Sequence, residues 1–577
     1  MKHGRRGGLN PGLSGGNGAA GANHEITAAM LAGLLLLIGI YAYFYSRLYN
    51  GYLLVLDDPG NIGGTVEEGL RGWLTRGMAD YYHVYPEWPQ SGFSNFYRPV
   101  WNLIIFAEQA LLGQHYWAWF LAFCALQYGG ALLFLRLLQS LGLPTRSALP
   151  FTILFLFNPA FLNLGFIYPG FQFDVFVSLL LLSALYQLLH NRYGSTLALL
   201  TAAIFTKETG VFAPVAAALT VFILKRDAKW SVAMLLPLVA WAAARWLAFH
   251  AVMGGTFASP TGISELLVNI GKGLAIWPSS AVPINFSMQM EGALGVGVLA
   301  LLAMNAVLWT ILAYAGWQIA RALWQAADKP EAKLQAVLLV WLLGALAYCL
   351  LIRPQVRFGA SLDTFLLLFL AYFLFTQSWP RYLKILPVLI LGFVAAIRGV
   401  NFLWSDIPKL LAGRSGEKAL FAALQSLPQD GRTVFIVNAP TMLSAPRFIA
   451  KEWNLNLGIT FINQFRGCSY ASPQDATYEL SPTSLSVEIP SCASFVFAGV
   501  PADIQVKELA GGLQRPGVGT YQFPGHPDLS KRLSSGDIDF GRAMQVQSVQ
   551  LPGTILVYDW QNGRYRTLEA PGYQHDQ

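Results

Sequence analysis

The chain has 577 residues, of which 54% are hydrophobic, 14% aromatic and 12% charged. Soluble globular proteins carry about 25% charged residues, so this composition excludes that class and indicates a membrane protein. The formal net charge is +7. In a soluble protein this excess would suggest a nucleic-acid partner, but here it matches the Lys and Arg enrichment of cytoplasmic loops, and we expect no nucleic acid to bind.

The N-terminal 1–25 segment is glycine-rich and basic, which predicts a disordered cytoplasmic tail. The uncharged run that follows, Ile26–Ser46, has 21 residues, and about 20 suffice to cross a bilayer core. A cleaved secretory signal is the alternative. However, the run is longer than the apolar region of such a signal, and SRLYNG lacks a small-x-small cleavage pattern. We therefore interpret the run as an uncleaved first span.

Further apolar runs predict an α-helical polytopic membrane domain over 26–402, with about eleven spans. We place them at 26–46, 116–138, 148–166, 174–190, 195–206, 211–224, 230–250, 292–317, 335–352, 359–377 and 383–402.

The distribution of basic residues predicts the orientation of the spans. With the N-terminus cytoplasmic, five groups of basic residues fall in cytoplasmic loops: Arg136 and Arg146; Arg192; Lys225, Arg226 and Lys229; Arg321, Lys329 and Lys333; and Arg381 and Lys384. An odd number of spans then places residues 415–577 outside. This segment mixes strand-like runs such as TVFIVNAP and TILVYDW with a helix-like SAPRFIAKEW, which predicts an extracytoplasmic α/β domain. We expect the protein in a plasma membrane, with the bacterial inner membrane as the particular expectation.

Three apolar stretches are shorter than an ordinary span. The stretch 100–113 contains Glu108, so we predict an amphipathic interfacial helix within a first outer loop at 47–115. The runs 195–206 and 211–224 are joined by FTKETG. A short, interrupted pair of this kind usually lines a cavity in the protein.

Several charged residues are candidates for a functional site. Asp57 and Asp58 follow the first span in LLVLDDPGNI, where they could act on a substrate or only mark a helix end in water. Lys207 and Glu208 lie in FTKETG, where a charge near membrane depth costs about 2.5–3.5 kcal/mol and usually faces a functional cavity. The alternative is that these two residues neutralise each other locally in a solvated turn.

Other charged residues also fall at predicted outer ends of spans. Arg353 and Arg357 run against the charge rule, so an anionic ligand or lipid headgroups would account for them. Arg98 precedes Pro99 in NFYRPVW, and Asp174 follows YPGFQF. Asp174 could also be only a carboxylate favoured at a helix start.

Motifs of other enzyme classes are missing, and the cysteines divide into two groups. The sequence contains no HExxH, GxxxxGK[ST] or GxSxG. Cys124 and Cys349 fall in predicted spans and are expected to pack as small apolar residues. Cys468 and Cys492 fall in the predicted outer domain, where an oxidising compartment favours a disulfide between them.

The order of LDDPGN, FYRPVWNL, the Asp174 region and FTKETG resembles the GT-C superfamily of polytopic glycosyltransferases. The resemblance covers about residues 26–402. It is strongest to protein O-mannosyltransferases and bacterial lipid-carrier-dependent sugar transferases. In those relatives a His often occurs in the second span, whereas this chain has Gln127 in FCALQYGG. That departure leaves the subfamily, and with it the sugar, open.

The resemblance implies a function and roles. The donor would be a polyprenyl-phosphate-linked sugar and the acceptor a glycan, lipid or protein, with membrane lipids around the enzyme. Asp57 would be the catalytic base, with Asp58 beside it. The remaining charged candidates would bind substrate: Arg98, Asp174, Lys207, Glu208, Arg353 and Arg357. The sequence establishes no cofactor and leaves a metal requirement open, although the two adjacent carboxylates could hold a divalent metal.

Two other classes of function remain open from the sequence. A transporter or flippase of lipid-linked saccharides would also use cationic residues around a cavity, although the chain lacks two matched halves. An envelope scaffold protein would depend mainly on residues 415–577.

Overall fold

The structure is a computed structural model that describes part of the chain. The described residues are 19–48, 98–113, 115–158, 161–162, 172–249, 267, 270–271, 295–325, 329–351, 360–401, 407–437, 439, 446–461, 477–488, 505–508, 520–523, 526–534, 537–538, 543–547, 553–559 and 562–569.

The apolar segments form helices, as expected, because a helix pairs the backbone N–H and C=O groups within each segment and Leu and Ala favour helices. The helices are α1 Ala19–Leu48, α2 Pro99–Leu112, α3 Tyr116–Ser140, α4 Thr145–Leu156, α5 Phe173–Leu189, α6 Tyr193–Thr206, α7 Ala213–Lys225, α8 Ala228–Ala233, α9 Leu236–Phe249, α10 Gly295–Gln325, α11 Pro330–Leu351, α12 Ala360–Thr376, α13 Arg381–Asn401 and α14 Ile407–Gln425.

Each predicted span overlaps a helix, but the boundaries differ in places, and the predicted span 230–250 is divided between α8 and α9. Helix α1 begins at Ala19, inside the predicted disordered tail, because its alanine-rich start extends the helix beyond the apolar run. Within the predicted span 148–166, helix α4 ends at Leu156 and residues 161–162 are again helical. Among the described residues, five helical segments are long and apolar enough to cross a membrane. The total of eleven spans stays a prediction.

A buried polar contact fixes the position of α1 in the bundle. Tyr41 on α1 donates a hydrogen bond to Oε1 of Gln127 on α3 at 2.9 Å. Gln127 in turn donates from Nε2 to the carbonyl oxygen of Leu156 at the end of α4. The Tyr41 ring also packs on Phe120 and Phe123, with centroid distances of 6.1 and 5.7 Å. Gln127, singled out as a departure from the expected His, therefore ties three helices together.

Contacts between helix ends agree with the predicted alternation of direction. Tyr193 and Trp230, both at predicted cytoplasmic ends, have ring centroids 4.8 Å apart. Gln335 donates to Thr376 Oγ1 at 2.6 Å, again between two predicted cytoplasmic ends. Helix ends predicted on one side thus meet one another. Which side faces the cytoplasm stays a prediction.

Residues 433–569 contribute strands in three sheets. The first has the order β11-β10-β1-β2, with β1 parallel to both β10 and β2. The second is antiparallel with the order β3-β4-β9-β5, and the third is β6-β7-β8. The bounds are β1 Thr433–Val437, β2 Gly458–Phe461, β3 Thr477–Leu480, β4 Ser484–Glu488, β5 Gln505–Glu508, β6 Thr520–Phe523, β7 His526–Ser534, β8 Asp537–Ile538, β9 Ala543–Gln547, β10 Thr554–Asp559 and β11 Arg564–Glu569, with helix α15 at Pro446–Glu452.

The first sheet lies against one end of the helical bundle. Its central strands are continuous apolar runs, buried as expected for strands covered on both faces. Helix α14 packs on both β11 and α1. In addition, the Tyr116 hydroxyl at the start of α3 donates to Glu452 Oε2 of α15 at 3.1 Å. The start of α3 is a predicted outer end, so the sheet lies at the end of the bundle predicted to face outward.

Candidate functional site

The segment FTKETG breaks the helix between α6 and α7. Lys207 adopts an extended backbone, with φ −161° and ψ 149°, and Glu208–Gly210 form one 3-10 turn. The turn packs directly on the backbone of α6. A Cβ atom at Gly210 would lie 3.0 Å from both the Ala203 carbonyl carbon and the Ile204 nitrogen. Glycine therefore permits the close approach that brings Lys207 and Glu208 into the bundle.

Lys207 pairs with Asp174 in the bundle interior. The Lys207 ammonium donates to Asp174 Oδ1 in the first turn of α5. Their exposed fractions are only 1% and 2%. The ammonium also lies 4.3 Å from the ring centroid of Phe173, a cation–π distance. Asp174 is thus both a carboxylate at a helix start and one half of a buried ion pair.

Glu208 pairs with Arg98, which immediately precedes the first residue of α2. The guanidinium donates to Glu208 Oε2 twice, from Nε at 3.0 Å and from Nη2 at 2.7 Å. Arg98 Cζ lies 5.1 Å from the centroid of the same Phe173 ring. The Trp101 ring makes a T-shaped contact with the Phe173 ring, with a centroid distance of 5.2 Å. Phe173 therefore lies between the two ion pairs and contacts a cation of each.

A third cation, Arg245 on α9, also belongs to the site. It is not among the site residues predicted from the sequence. Its Nη1 atom lies 3.8 Å from Glu208 Oε1, and its side chain is fully buried. The guanidinium also lies 5.2 Å from the ring centroid of Trp241, one turn earlier on α9. The available signal was an arginine inside the apolar run 230–250, since an ionisable residue at membrane depth indicates a functional site.

Together these residues form a buried group, here named the charged cluster, made up of Arg98, Asp174, Lys207, Glu208 and Arg245. Three cations and two carboxylates leave a formal charge of +1. The alternative that Lys207 and Glu208 form a solvated turn is wrong, because both side chains are buried.

Residues within four positions of the charged cluster in sequence carry further buried polar atoms. Within the described residues, Trp101 Nε1, Asn102 Oδ1, Gln172 Nε2 and Thr209 Oγ1 make no hydrogen bond. Buried polar groups are normally hydrogen-bonded to protein or ordered water. These four atoms are therefore available to water or to polar groups of a ligand.

The structure brings together four of the eight predicted charged residues. Arg98, Asp174, Lys207 and Glu208 meet in the charged cluster. The others lie outside the described residues, as does the predicted disulfide pair: Asp57, Asp58, Arg353 and Arg357, and Cys468 and Cys492. Cys124 and Cys349 are buried in α3 and α11, as predicted. No metal-binding group of three or more His, Cys, Asp or Glu occurs in the described part of the chain.

Comparison with known proteins finds distant similarity to solved structures. No protein-family model and no curated protein matches the chain. Among solved structures, the chain is similar to an oligosaccharyltransferase of Archaeoglobus fulgidus, crystallised tethered through a disulfide bond to an acceptor peptide with an NVT sequon. The TM-score is 0.41 and the sequence identity 11%, over 82% of this chain and 74% of that chain. A similarity at this level does not identify a family.

Proposed function

We propose that this chain is an integral-membrane glycosyltransferase that moves a sugar from a polyprenyl-phosphate-linked donor to a hydroxyl acceptor. The observation that carries the proposal is the charged cluster at a helix break inside an apolar bundle. Buried ion pairs are poor sources of stability, because well-packed apolar residues often replace them without loss. A chain that keeps five charges there is better explained by a site for a charged substrate than by stability.

In this proposal the charged cluster forms the wall of the substrate cavity. Arg98, Asp174, Lys207 and Glu208 keep the substrate-binding role expected from the sequence, and Arg245 joins them. Their mutual pairing holds α2, α5 and α9 around the break, and their cationic groups would attract the anionic donor. Arg353 and Arg357 would contact the donor phosphate, for which guanidinium groups are suited.

The proposed reaction is a single displacement at the anomeric carbon. Asp57, with Asp58 beside it, takes the proton of the acceptor hydroxyl as its oxygen attacks that carbon. The bond from the anomeric carbon to the phosphate oxygen breaks, and the lipid phosphate leaves with the bonding electrons. Cationic groups stabilise the charge that develops on it. One displacement inverts the anomeric centre and needs no nucleophilic carboxylate. A divalent metal held by the two carboxylates would assist departure of the phosphate.

We place this reaction on the extracytoplasmic side. The proposed acceptors are a glycan, a lipid or a protein at the cell surface. Support comes from the predicted topology, in which Asp57, the charged cluster and the first sheet share one end of the bundle. The same end would serve a transporter of lipid-linked saccharides, so the decisive experiment must detect chemistry.

Cells that lack the protein should lose a surface glycan or glycoprotein modification detectable by mass analysis, and the wild-type chain should restore it. Asp57→Asn keeps the shape but removes the base, so we expect transfer in reconstituted membranes to fall by about 10²–10⁴-fold. Asp430→Asn, an exposed carboxylate in the C-terminal region, is the matched control and should stay active.

Three outcomes separate the candidates. Loss of transfer in Asp58→Asn, with full activity in Asp57→Asn, would move the base by one residue. Full activity of both variants would remove the central residue of the proposal. Movement of lipid-linked saccharide across the membrane without transfer of sugar would assign the cavity to a transporter.

A further inference from the structure

The end of the bundle opposite the charged cluster carries exposed aromatic side chains. On the last turns of α10, Trp317 is 55% exposed and Trp324 is 92% exposed. Arg321 lies between them in sequence, and its Cζ atom is 5.6 Å from the Trp317 ring centroid. Tryptophan is enriched at membrane interfaces, where its apolar ring and polar N–H face different surroundings. This end of α10 therefore has the composition of an aromatic belt at the level of the lipid headgroups.

The same end of α10 packs on the connection between α12 and α13. The ring centroids of Tyr314 and Trp379 are 5.6 Å apart. Trp379 also makes an edge contact with Phe373 on α12 at 5.8 Å. Trp379 thus joins the end of α10 to the start of α13, and the two helices contact each other.

From this junction, an exposed apolar face continues along α13. Its large side chains recur at helical spacing and are 41–63% exposed: Ile385, Leu386, Leu389 and Phe393. Tyr382, 71% exposed, begins this face. The eleven steps from Tyr382 to Phe393 rise about 16 Å along the helix, close to half of the roughly 30 Å hydrocarbon core. The face therefore has the length of an acyl chain in one leaflet.

Basic residues dominate this end of the bundle. Among the described side chains at the adjoining ends of α10, α11 and α13, four are basic and one, Glu331, is acidic, giving a local charge of +3. The basic residues are Arg321, Lys329, Lys333 and Lys384. Such a surface complements an anionic headgroup, and the gain is about 1 kcal/mol for each Lys or Arg near an anionic membrane surface.

We propose that this surface binds an anionic phospholipid. Arg321 and Lys384 would hold the headgroup phosphate, Trp317, Trp379 and Tyr382 would surround the glycerol region, and one acyl chain would lie along Ile385–Phe393. A second copy of the chain would bring a further positive surface against this one, which disfavours a symmetric contact. The site is independent of the proposed sugar transfer.

The test is native mass spectrometry of the purified full chain in detergent, with either phosphatidylglycerol or phosphatidylcholine added. We expect phosphatidylglycerol to be retained preferentially. Arg321→Gln and Lys384→Gln should each weaken its binding about fivefold. Arg192→Gln and Lys225→Gln, basic residues at other predicted cytoplasmic ends, are the matched controls and should bind as the wild type does.

Equal retention of the two lipids would overturn the proposal, as would unchanged phosphatidylglycerol binding in the two site variants. A stable dimer that excludes lipid would assign the surface to a contact between copies. If either variant fails to fold, photo-crosslinking of phosphatidylglycerol to the wild-type protein decides the question. Crosslinks should then map to α13 and the end of α10, and crosslinks confined to other helices would reject the site.

Discussion

Glu208 accepts two hydrogen bonds from Arg98 through one carboxylate oxygen, while its other oxygen lies 3.8 Å from Arg245. One carboxylate therefore balances two buried guanidinium groups that belong to different segments of the chain. This arrangement joins the start of α2 and the interior of α9 to the helix break. It makes Glu208 the residue whose charge matters most for the assembly of this end of the bundle.

Replacement of Glu208 by Gln should strongly destabilise the protein. The amide keeps the shape but removes the negative charge that pairs with Arg98 and Arg245, and breaking a buried ion pair in this way costs about 3–5 kcal/mol. The midpoint of unfolding in detergent measures the loss. Asp430→Asn, which breaks an exposed pair with Arg432, should change the midpoint far less because solvent screens that pair. Equal shifts in the two variants would contradict the structural role of Glu208.

Replacement of Gly210 by Ala should disrupt the helix break. The added methyl would lie 3.0 Å from backbone atoms of α6, which cannot move as a flexible side chain can. We expect a loss of about 1–3 kcal/mol, typical of overpacking. Gly194→Ala is the control, since no heavy atom lies within 4 Å of a Cβ there. Because Ala is the better helix former, Gly194→Ala should be neutral or stabilising by up to about 1 kcal/mol. If Gly210→Ala left the stability unchanged, the close contact between the turn and the backbone of α6 would be contradicted.

Cysteine labelling should reveal the orientation of the chain. In a background with the native cysteines changed to Ser, Gln425→Cys at the end of α14 should react with a membrane-impermeant reagent from outside. Lys229→Cys on α8 should react only after permeabilisation. Both positions are exposed, so accessibility to water does not distinguish them. The reverse pattern would invert the predicted topology and move the charged cluster to the cytoplasmic side.

Cys468 and Cys492 should form a disulfide in the mature protein. The bond would close a loop of about 25 residues, worth roughly 3 kcal/mol in the chain-entropy model. Non-reducing peptide mapping should recover the two peptides joined, while the buried Cys124 and Cys349 stay reduced. Recovery of both outer cysteines as free thiols would reject the bond and weaken the assignment of residues 415–577 to an oxidising compartment.

The sequence by itself determined where the helices form and which short segment interrupts them. These properties depend on local composition, because an apolar run must satisfy its backbone internally and a charged Lys-Glu pair followed by glycine cannot continue such a run at low cost. For the same reason, Arg98, Asp174, Lys207 and Glu208 could be singled out one by one.

Only the tertiary structure decided how these charges combine. No local pattern pairs Arg98 with Glu208 and Lys207 with Asp174 instead of the reverse, and none brings Arg245 of α9 to Glu208. The partners follow from how α2, α5, α6 and α9 pack, and in a low-dielectric interior a shift of a few ångströms changes which ion pair is favoured. The helix positions are therefore determined by the local sequence, whereas the partners of the buried charges are determined by how the helices pack.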